Sequence, residues 1–162
     1  MKKIKITLLS LLSLSPLFFI SCGDDDSLTT EQQLVKDIIK IEAYIAEKGI
    51  QNAEKTATGL HYAITTAGSG SNASVGSNVT VHYTGKFLSD GVFDSSAGKN
   101  PLQFQLGVGR VILGWDEGLQ HFNEGSKGVL MIPSVLAYGT SGVGSIGPDE
   151  VLVFEVEMVA IN

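Results

Sequence analysis

The chain has 162 residues, of which 43% are hydrophobic, which is enough for one folded domain with a buried core and an appendage. Its formal charge is −6; without the three lysines among the first five residues, 8 basic residues remain against 17 acidic ones, giving −9. An acidic chain without a basic patch that includes aromatic residues is repelled by nucleic acid phosphates, so the composition argues against nucleic acid binding.

Residues 1–21 have the features of a secretory leader. Three lysines precede an apolar run from Ile6 to Ile20, which is too short for a comfortable membrane span. The segment ends at Ser21, and a cysteine that follows a small residue here resembles the cleavage site of a bacterial lipoprotein. We therefore predict removal of residues 1–21 and lipidation of Cys22, the only cysteine, which leaves no thiol for a disulfide.

Residues 22–30 are predicted to form an acidic, lipid-anchored tether. The aspartates at 24–26 are typical of a solvated segment. They also resemble the export signal of lipoproteins on the outer face of the outer membrane in Gram-negative bacteria. The expected location is therefore the outer membrane, facing either the periplasm or the cell surface. Asp26-Ser27-Leu28 also resembles an O-glycosylation acceptor, and whether Ser27 is glycosylated stays open.

A helix is predicted over residues 31–49. Thr29 or Thr30 can cap its start, and Gly49 can end it. Apolar residues recur at helical spacing and form one face: Leu34, Val35, Ile38, Ile39, Ile41, Tyr44 and Ile45. This face can pack on its own domain or pair with a second copy, and its short length favours a lid or spacer in a monomer. Residues 50–58 are predicted to be a polar linker.

Residues 59–162 are predicted to form the main domain, because apolar and polar residues alternate there as in half-buried antiparallel strands. Strands are expected at 60–65, 79–84, 102–106, 126–132 and 151–160, and a short one opens at Phe93. Turns are expected at 68–72 and 89–91, and the glycine-rich segment 138–148 is long enough to fold over a cleft.

A short helix is predicted over residues 111–122, which contain the only tryptophan. Its apolar residues share one face because they lie three, four and three positions apart: Ile112, Trp115, Leu119 and Phe122. Asp116, Glu117 and Gln120 are expected to face water. The predicted class is α+β: an antiparallel half-barrel of five to six strands around this helix, with an extra amino-terminal helix. Strand alternation aims Tyr83, Phe104, Phe154 and Trp115 at a common centre.

The sequence contains no complete motif for binding a metal or a cofactor. Residues 142–147 match the glycine pattern of dinucleotide-binding folds, but only 15 residues follow, and they predict a strand rather than the required helix. His61, His82 and His121 have neither ligand spacing nor a carboxylate or cysteine cluster, and no nucleophile elbow occurs. We predict no metal and no cofactor.

Five motifs, in this order and spacing, resemble the FKBP family of rapamycin-binding peptidyl-prolyl isomerases. They are Val81-His82-Tyr83-Thr84-Gly85, Gly91-Val92-Phe93-Asp94-Ser95-Ser96, Val111-Ile112-Leu113-Gly114-Trp115, Ala137-Tyr138-Gly139 and Leu152-Val153-Phe154-Glu155-Val156-Glu157. The resemblance runs from about Gly59 to Asn162. It implies isomerisation of X-Pro bonds in polypeptide clients and binding of macrolide inhibitors of the rapamycin class.

The resemblance also implies a site. Trp115 would be the pocket floor and Phe154 would act with it in catalysis, while Asp94 and the Tyr138 hydroxyl would orient the substrate. The Ile112 amide would hold a substrate carbonyl. The substrate-binding positions would be Tyr83, Phe93, Leu102, Phe104, Val111, Ile112 and Ile146. The chain departs from the family at Leu102, where many members have phenylalanine, and in a short 97–100 loop; both changes bear on substrate preference and drug affinity.

Prolyl isomerisation needs no acid, base or nucleophile, because rotation about the peptide bond breaks no covalent bond. An apolar pocket that strips water from the carbonyl favours the twisted amide, which is less dipolar than the planar one. The predicted function is therefore non-covalent prolyl isomerisation. The alternative is a non-catalytic chaperone or binding module that holds apolar segments in the same cleft; the combination of Trp115, Asp94 and Tyr138 favours the enzyme.

Overall fold

The computed structural model describes residues 28–162, so the predicted leader, Cys22, the aspartate run and Ser27 lie outside the described residues. Two α-helices and nine strands occur in the described part: α1 (Thr30–Lys48), β1 (Glu54–Lys55), β2 (His61–Thr66), β3 (Ser69–Asn72), β4 (Asn78–Phe87), β5 (Val92–Ser95), β6 (Leu102–Gln105), α2 (Leu113–Gly118), β7 (Asn123–Glu124), β8 (Lys127–Ile132) and β9 (Leu152–Ile161). Single 3₁₀ turns occupy Leu119–His121, Ser134–Leu136 and Gly139–Ser141.

Seven strands form one antiparallel sheet: six follow the order β1-β2-β8-β9-β4-β5, and the seventh, β6, also pairs with β4. β9 pairs with one edge of β4, and the other edge is shared by β6, near Val79, and β5, near Gly85. The α+β class is therefore confirmed. The strand count exceeds the expected five to six, because β1 is too short to show alternation and lies in the predicted linker.

The segment expected to be a flexible turn at 68–72 instead contains β3, which pairs with β7 in a separate two-stranded ladder. All four side chains of β3 are exposed, so no buried face marked this strand in the sequence. The backbones meet closely at Gly68, where a Cβ atom would overlap the carbonyl of Glu124. Pairing with a distant partner overrode the local preference of a glycine- and serine-rich stretch for a turn.

One face of the sheet packs against α2. Leu119 and Phe122, which follow α2, are fully buried with Leu130 of β8, and burial of each such side chain contributes about 1.5–3 kcal/mol. Gly114 and Gly118 permit the close approach, because a Cβ at either would overlap Ile132 or Leu130. The helix is shorter than predicted: the last turn is 3₁₀.

The other face of the sheet is covered by α1. Strand residues alternate between faces, and Met131 and Val153 pack with Ile41 and Tyr44 rather than with the α2 core. Helix α1 starts in a capping box at Thr29 and ends at left-handed Gly49 (φ 63°). The amino-terminal helix therefore packs on its own domain. Within residues 28–162, no helix is long and apolar enough to cross a membrane.

Candidate active site

Four aromatic rings, the Trp115 indole and three others, pack against one another at the open end of the α2 face. Tyr83 from β4 and Phe154 from β9 each meet Trp115 edge to face, with ring centroids 5.2 Å apart and planes at 83°. Phe93 from β5 meets Phe154 in the same way at 5.5 Å. A Cβ on Gly85 would overlap Phe93 and Phe154, so glycine in β4 is what lets these rings close. Each such edge-to-face pair contributes about 0.5–1.5 kcal/mol beyond the area that it buries, so the pairs stabilise the arrangement of the walls.

These rings enclose a cavity of about 200 Å³. It is lined by Tyr83, Phe93, Asp94, Leu102, Arg110, Val111, Ile112, Trp115, Tyr138 and Phe154. Nine of the eleven residues predicted for the site lie in this lining. Phe104 instead packs against Trp115, with centroids 5.8 Å apart, and Ile146 is buried in the surrounding core. The cavity therefore brings together residues from β4, β5, β6, α2, β9 and the loop after β8.

Asp94 is the anionic group in the cavity lining. Its Oδ2 accepts a hydrogen bond of 2.6 Å from the Tyr83 hydroxyl, and its Oδ1 accepts one of 2.8 Å from the Ser95 N–H. The Tyr83 bond is the main reason that the pKa of Asp94 lies below its ordinary value, although partial burial opposes it. Burial first, and the bond to Asp94 second, raise the pKa of Tyr83 to about 12. Both groups therefore keep one protonation state through neutral pH.

Three hydrogen-bond donors at the cavity are unengaged within the described chain: one side-chain hydroxyl, one backbone N–H and one indole N–H. The Tyr138 hydroxyl has no partner among residues 28–162, and its side chain is 39% exposed. Ile112 caps α2 with extended backbone, its carbonyl accepts from Trp115 N–H at 2.9 Å, and its own N–H has no acceptor in residues 28–162. The indole Nε1 of Trp115 is buried and likewise unpartnered in that part of the chain. A bound peptide carbonyl can satisfy the Tyr138 hydroxyl or the Ile112 N–H, whereas the Trp115 Nε1 is inaccessible.

Sequence reasoning missed Arg110, which also lines the cavity. Its position just before the Val111–Trp115 motif was the signal that could have found it. Arg110 is exposed and forms no ion pair with the residues that the structure describes. Lys99 Nζ lies 4.0 Å from Asp94 Oδ1, so one cation lies beside the carboxylate at the rim.

The histidines lie away from the cavity lining. His61 is buried, with Nδ1 3.0 Å from the Gly59 carbonyl, and His121 stacks on Tyr62 at 4.0 Å. His82 Nδ1 is 3.0 Å from Ser96 Oγ. In residues 28–162 no group of three His, Cys, Asp or Glu side chains comes together as metal ligands would.

An aromatic cavity between a short helix and an antiparallel sheet, with one carboxylate and free donors at its edge, defines a binder of short, largely apolar peptide segments. The family model described as FKBP-type peptidyl-prolyl cis-trans isomerase matches residues 69–159. The chain belongs to this family, and the predicted enzyme class, prolyl cis-trans isomerase, is confirmed.

Relatives and solved structures agree with this assignment. The chain is 53% identical over 90 residues to peptidyl-prolyl cis-trans isomerase FPR2 of Saccharomyces cerevisiae, covering 54% of this chain and 67% of that protein. It is 43% identical to the probable FKBP-type isomerase FkpA of Neisseria meningitidis serogroup B, covering 76% of this chain but 46% of that protein. The crystal structure of an isomerase from Pseudomonas syringae superimposes with a TM-score of 0.69 at 32% identity, covering 84% and 98% of the two chains.

Proposed function

We propose that this chain isomerises X-Pro bonds of extracytoplasmic polypeptide clients in the cavity floored by Trp115. The uncatalysed rotation has a barrier of about 18–20 kcal/mol and takes tens to hundreds of seconds at X-Pro bonds. A preference of about 5–7 kcal/mol for the twisted amide would give four to five decades of acceleration, by rate arithmetic. The observation that carries the proposal is one aromatic cavity with a charged Asp94 and unengaged donors at its edge.

Each group has a role in this proposal. The proline ring enters between Tyr83, Phe154 and the Trp115 floor, where apolar walls replace water. The Ile112 N–H donates to a substrate carbonyl and fixes the peptide at one end. Asp94, held by Tyr83, and the Tyr138 hydroxyl stabilise the reoriented amide dipole in the transition state. None of these steps requires proton transfer, which accords with two groups whose charge is constant at neutral pH.

The alternative function is a non-catalytic chaperone or binding module that holds apolar segments. Isomerase activity distinguishes the enzyme from this alternative. The purified mature protein should accelerate isomerisation of a short X-Pro peptide in a protease-coupled assay. No acceleration over the uncatalysed rate would leave the holding module as the better account. Inhibition by a macrolide of the rapamycin class is expected too, because one relative is named an FK506-binding protein; Leu102 at the cavity edge is where affinity would differ.

The anchor forms a separate part of the proposal. Lipid on Cys22 would attach the tether, and residues 24–26 would direct the protein to the outer face of the outer membrane. We expect the wild type to partition with membranes and Cys22→Ala to lose lipid labelling. Replacement of residues 24–26 by alanine should reduce protease accessibility on intact cells. Labelling of Cys22→Ala would refute the anchor, whereas unchanged accessibility would refute only the export signal.

A monomer is also proposed. Support comes from α1, whose residues Ile41 and Tyr44 pack on the chain's own sheet and are not free to pair with a second copy. Sedimentation of the full chain in detergent should give one polypeptide per particle, and a concentration-dependent dimer would contradict this.

A further inference from the structure

Helix α1 contains a carboxylate that is fully buried. Asp37 has 0% exposure, although aspartate is rarely buried without partners. Its Oδ2 accepts from the Ser134 N–H at 2.8 Å and from the Ser134 hydroxyl at 2.5 Å. Its Oδ1 accepts from the Gln33 side chain at 2.8 Å, and Lys40 Nζ lies 3.7 Å away. Both oxygens are thus committed, and two of the bonds cross from the helix to residue 134.

Ser134 begins the segment that carries Tyr138. It follows Pro133 at the end of β8 and opens the 3₁₀ turn Ser134–Leu136, whose bonds include Ala137 N–H to the Ser134 carbonyl at 2.9 Å. Leu136 and Ala137 then pack against the α2 side of the core. The segment therefore passes from the α1 face of the sheet to the cavity face, and Tyr138 is the next residue.

We infer that Asp37 is a positioning residue, which fixes the Tyr138 loop through Ser134. The inference rests on the proposed function and deepens it, because it assigns part of the isomerase site to a helix outside the family match at residues 69–159. A carboxylate that holds both donors of Ser134 removes the freedom of the turn at its first residue. The Tyr138 hydroxyl, which has no partner of its own within the described chain, then depends on this backbone anchor for its place at the cavity.

The contacts of α1 with the turn before β5 are more exposed, and the shorter one is an ion pair. Lys48 Nζ lies 2.6 Å from Oδ2 of Asp90, in the turn before β5, but these side chains are 32% and 52% exposed. Solvent screens exposed pairs of this kind, so they contribute little to stability. Lys48→Met is therefore a matched control on the same helix. It removes the exposed ion pair with Asp90, in the turn before the strand that carries Asp94, and it should leave activity within about twofold.

The test is a double-mutant cycle in the full-length protein. Asp37→Leu should lower kcat/KM toward a short X-Pro peptide about tenfold, because small misplacement of a site group is costly. In a Tyr138→Phe background, the same change should cost less than about twofold, since the hydroxyl to be positioned is gone. Asp37→Asn, whose amide oxygen can still accept from Ser134, should recover part of the loss. Ser134→Ala, which keeps the N–H bond, is the milder variant if Asp37→Leu folds poorly.

Ile41→Ala controls for stability, because Ile41 is fully buried on α1 but has no polar side-chain atom that could bond to Ser134. It should lower the midpoint of thermal unfolding without a loss of kcat/KM below that midpoint. Hydrogen exchange at the amides of 137–142 gives a readout that does not require activity, and it should speed up in Asp37→Leu but not in Ile41→Ala. If the wild type were inactive but exchange were still faster only in Asp37→Leu, the proposed function would be refuted and the positioning of the loop by Asp37 would stand. Equal fold losses in both backgrounds, no loss, or unchanged exchange would overturn the positioning role.

Discussion

Asp116 and Asp37 show, at the scale of single residues, how buried carboxylates organise loops in this protein. Asp116 was expected to face water; instead its side chain is buried, and it accepts hydrogen bonds from the N–H groups of Gly107 (2.8 Å) and Gly109 (2.9 Å). That prediction was wrong because helical spacing places a residue on a face but does not show which loop folds back over it. The bonded loop leads into Val111, so the carboxylate supports one wall of the cavity.

Removal of the Asp116 carboxylate should destabilise the fold. Asp116→Ala leaves two loop amides without an acceptor, and we expect a loss of about 1–3 kcal/mol in the free energy of unfolding. Glu117→Ala is the matched control, because Glu117 is the next residue and its hydrogen bonds to Thr58 are exposed; it should cost less than about 1 kcal/mol. Urea unfolding of both variants measures the difference, and equal losses would contradict the assignment.

His61 should make stability depend on pH. Burial lowers its pKa below the ordinary 6.5, so below that pH the unfolded chain binds a proton that the folded chain refuses. The free energy of unfolding therefore falls as the pH decreases below about 6.5 towards the lower pKa of His61 in the folded chain. The carboxylates of Glu42, Asp90 and Asp94, whose pKa values are also lowered, lose their contribution only at more acidic pH.

The comparison for this prediction is His61→Gln. Between about pH 7.5 and about pH 5.5, the free energy of unfolding should decline more in the wild type than in the variant, because glutamine does not titrate. Urea titrations at several pH values provide the measurement. Parallel pH profiles would show that the histidine is not buried in its neutral form.

Elements with strong periodicity were predictable from the sequence, and elements made by long-range pairing were not. Strand β9 buries Leu152, Phe154, Val156 and Met158 as its alternation predicted. By contrast β1 and β3 have exposed side chains, and only their partners define them. For the cavity, the motif resemblance supplied nine of the lining residues, but Arg110 required the structure. The α1 face was predicted as purely apolar, whereas Gln33 and Asp37 lie on its buried side and Val35 and Ile39 are exposed.

Helix α1 should contribute to stability through this face. Ile41→Ala removes a side chain with 0% exposure from the cluster with Met131 and Val153, and we expect a loss of about 2–5 kcal/mol. Ile39→Ala removes the same atoms from a residue that is 62% exposed on the same helix, and it should change the free energy of unfolding by less than about 0.5 kcal/mol. Chemical denaturation distinguishes them. A small effect of Ile41→Ala would mean that α1 is a spacer, as its length first suggested.

At the scale of the whole molecule, the described part of the chain is a sheet with a helix packed on each face. The α2 side forms the cavity. Helix α1 covers the other side and begins at Thr30, eight residues after the proposed lipid site at Cys22. The loop from Ser134 to Tyr138 connects the two sides, and α1 packs on its own domain, one of the two arrangements that the sequence left open for its apolar face.

The polar groups at the cavity edge are proposed to accelerate rotation about the X-Pro bond and not merely to assist substrate binding. Tyr138→Phe removes one hydroxyl, and Asp94→Asn removes the charge while keeping an acceptor for Tyr83. Tyr62→Phe is the matched control, because the Tyr62 hydroxyl bonds to Glu54 at 2.7 Å and does not line the cavity. Isomerisation of an X-Pro peptide and suppression of aggregation of an unfolded client are measured in parallel. Tyr138→Phe and Asp94→Asn should slow isomerisation by an equivalent of about 1–3 kcal/mol while suppression and the Tyr62→Phe control stay unchanged; isomerisation at wild-type rates in both variants would contradict the account.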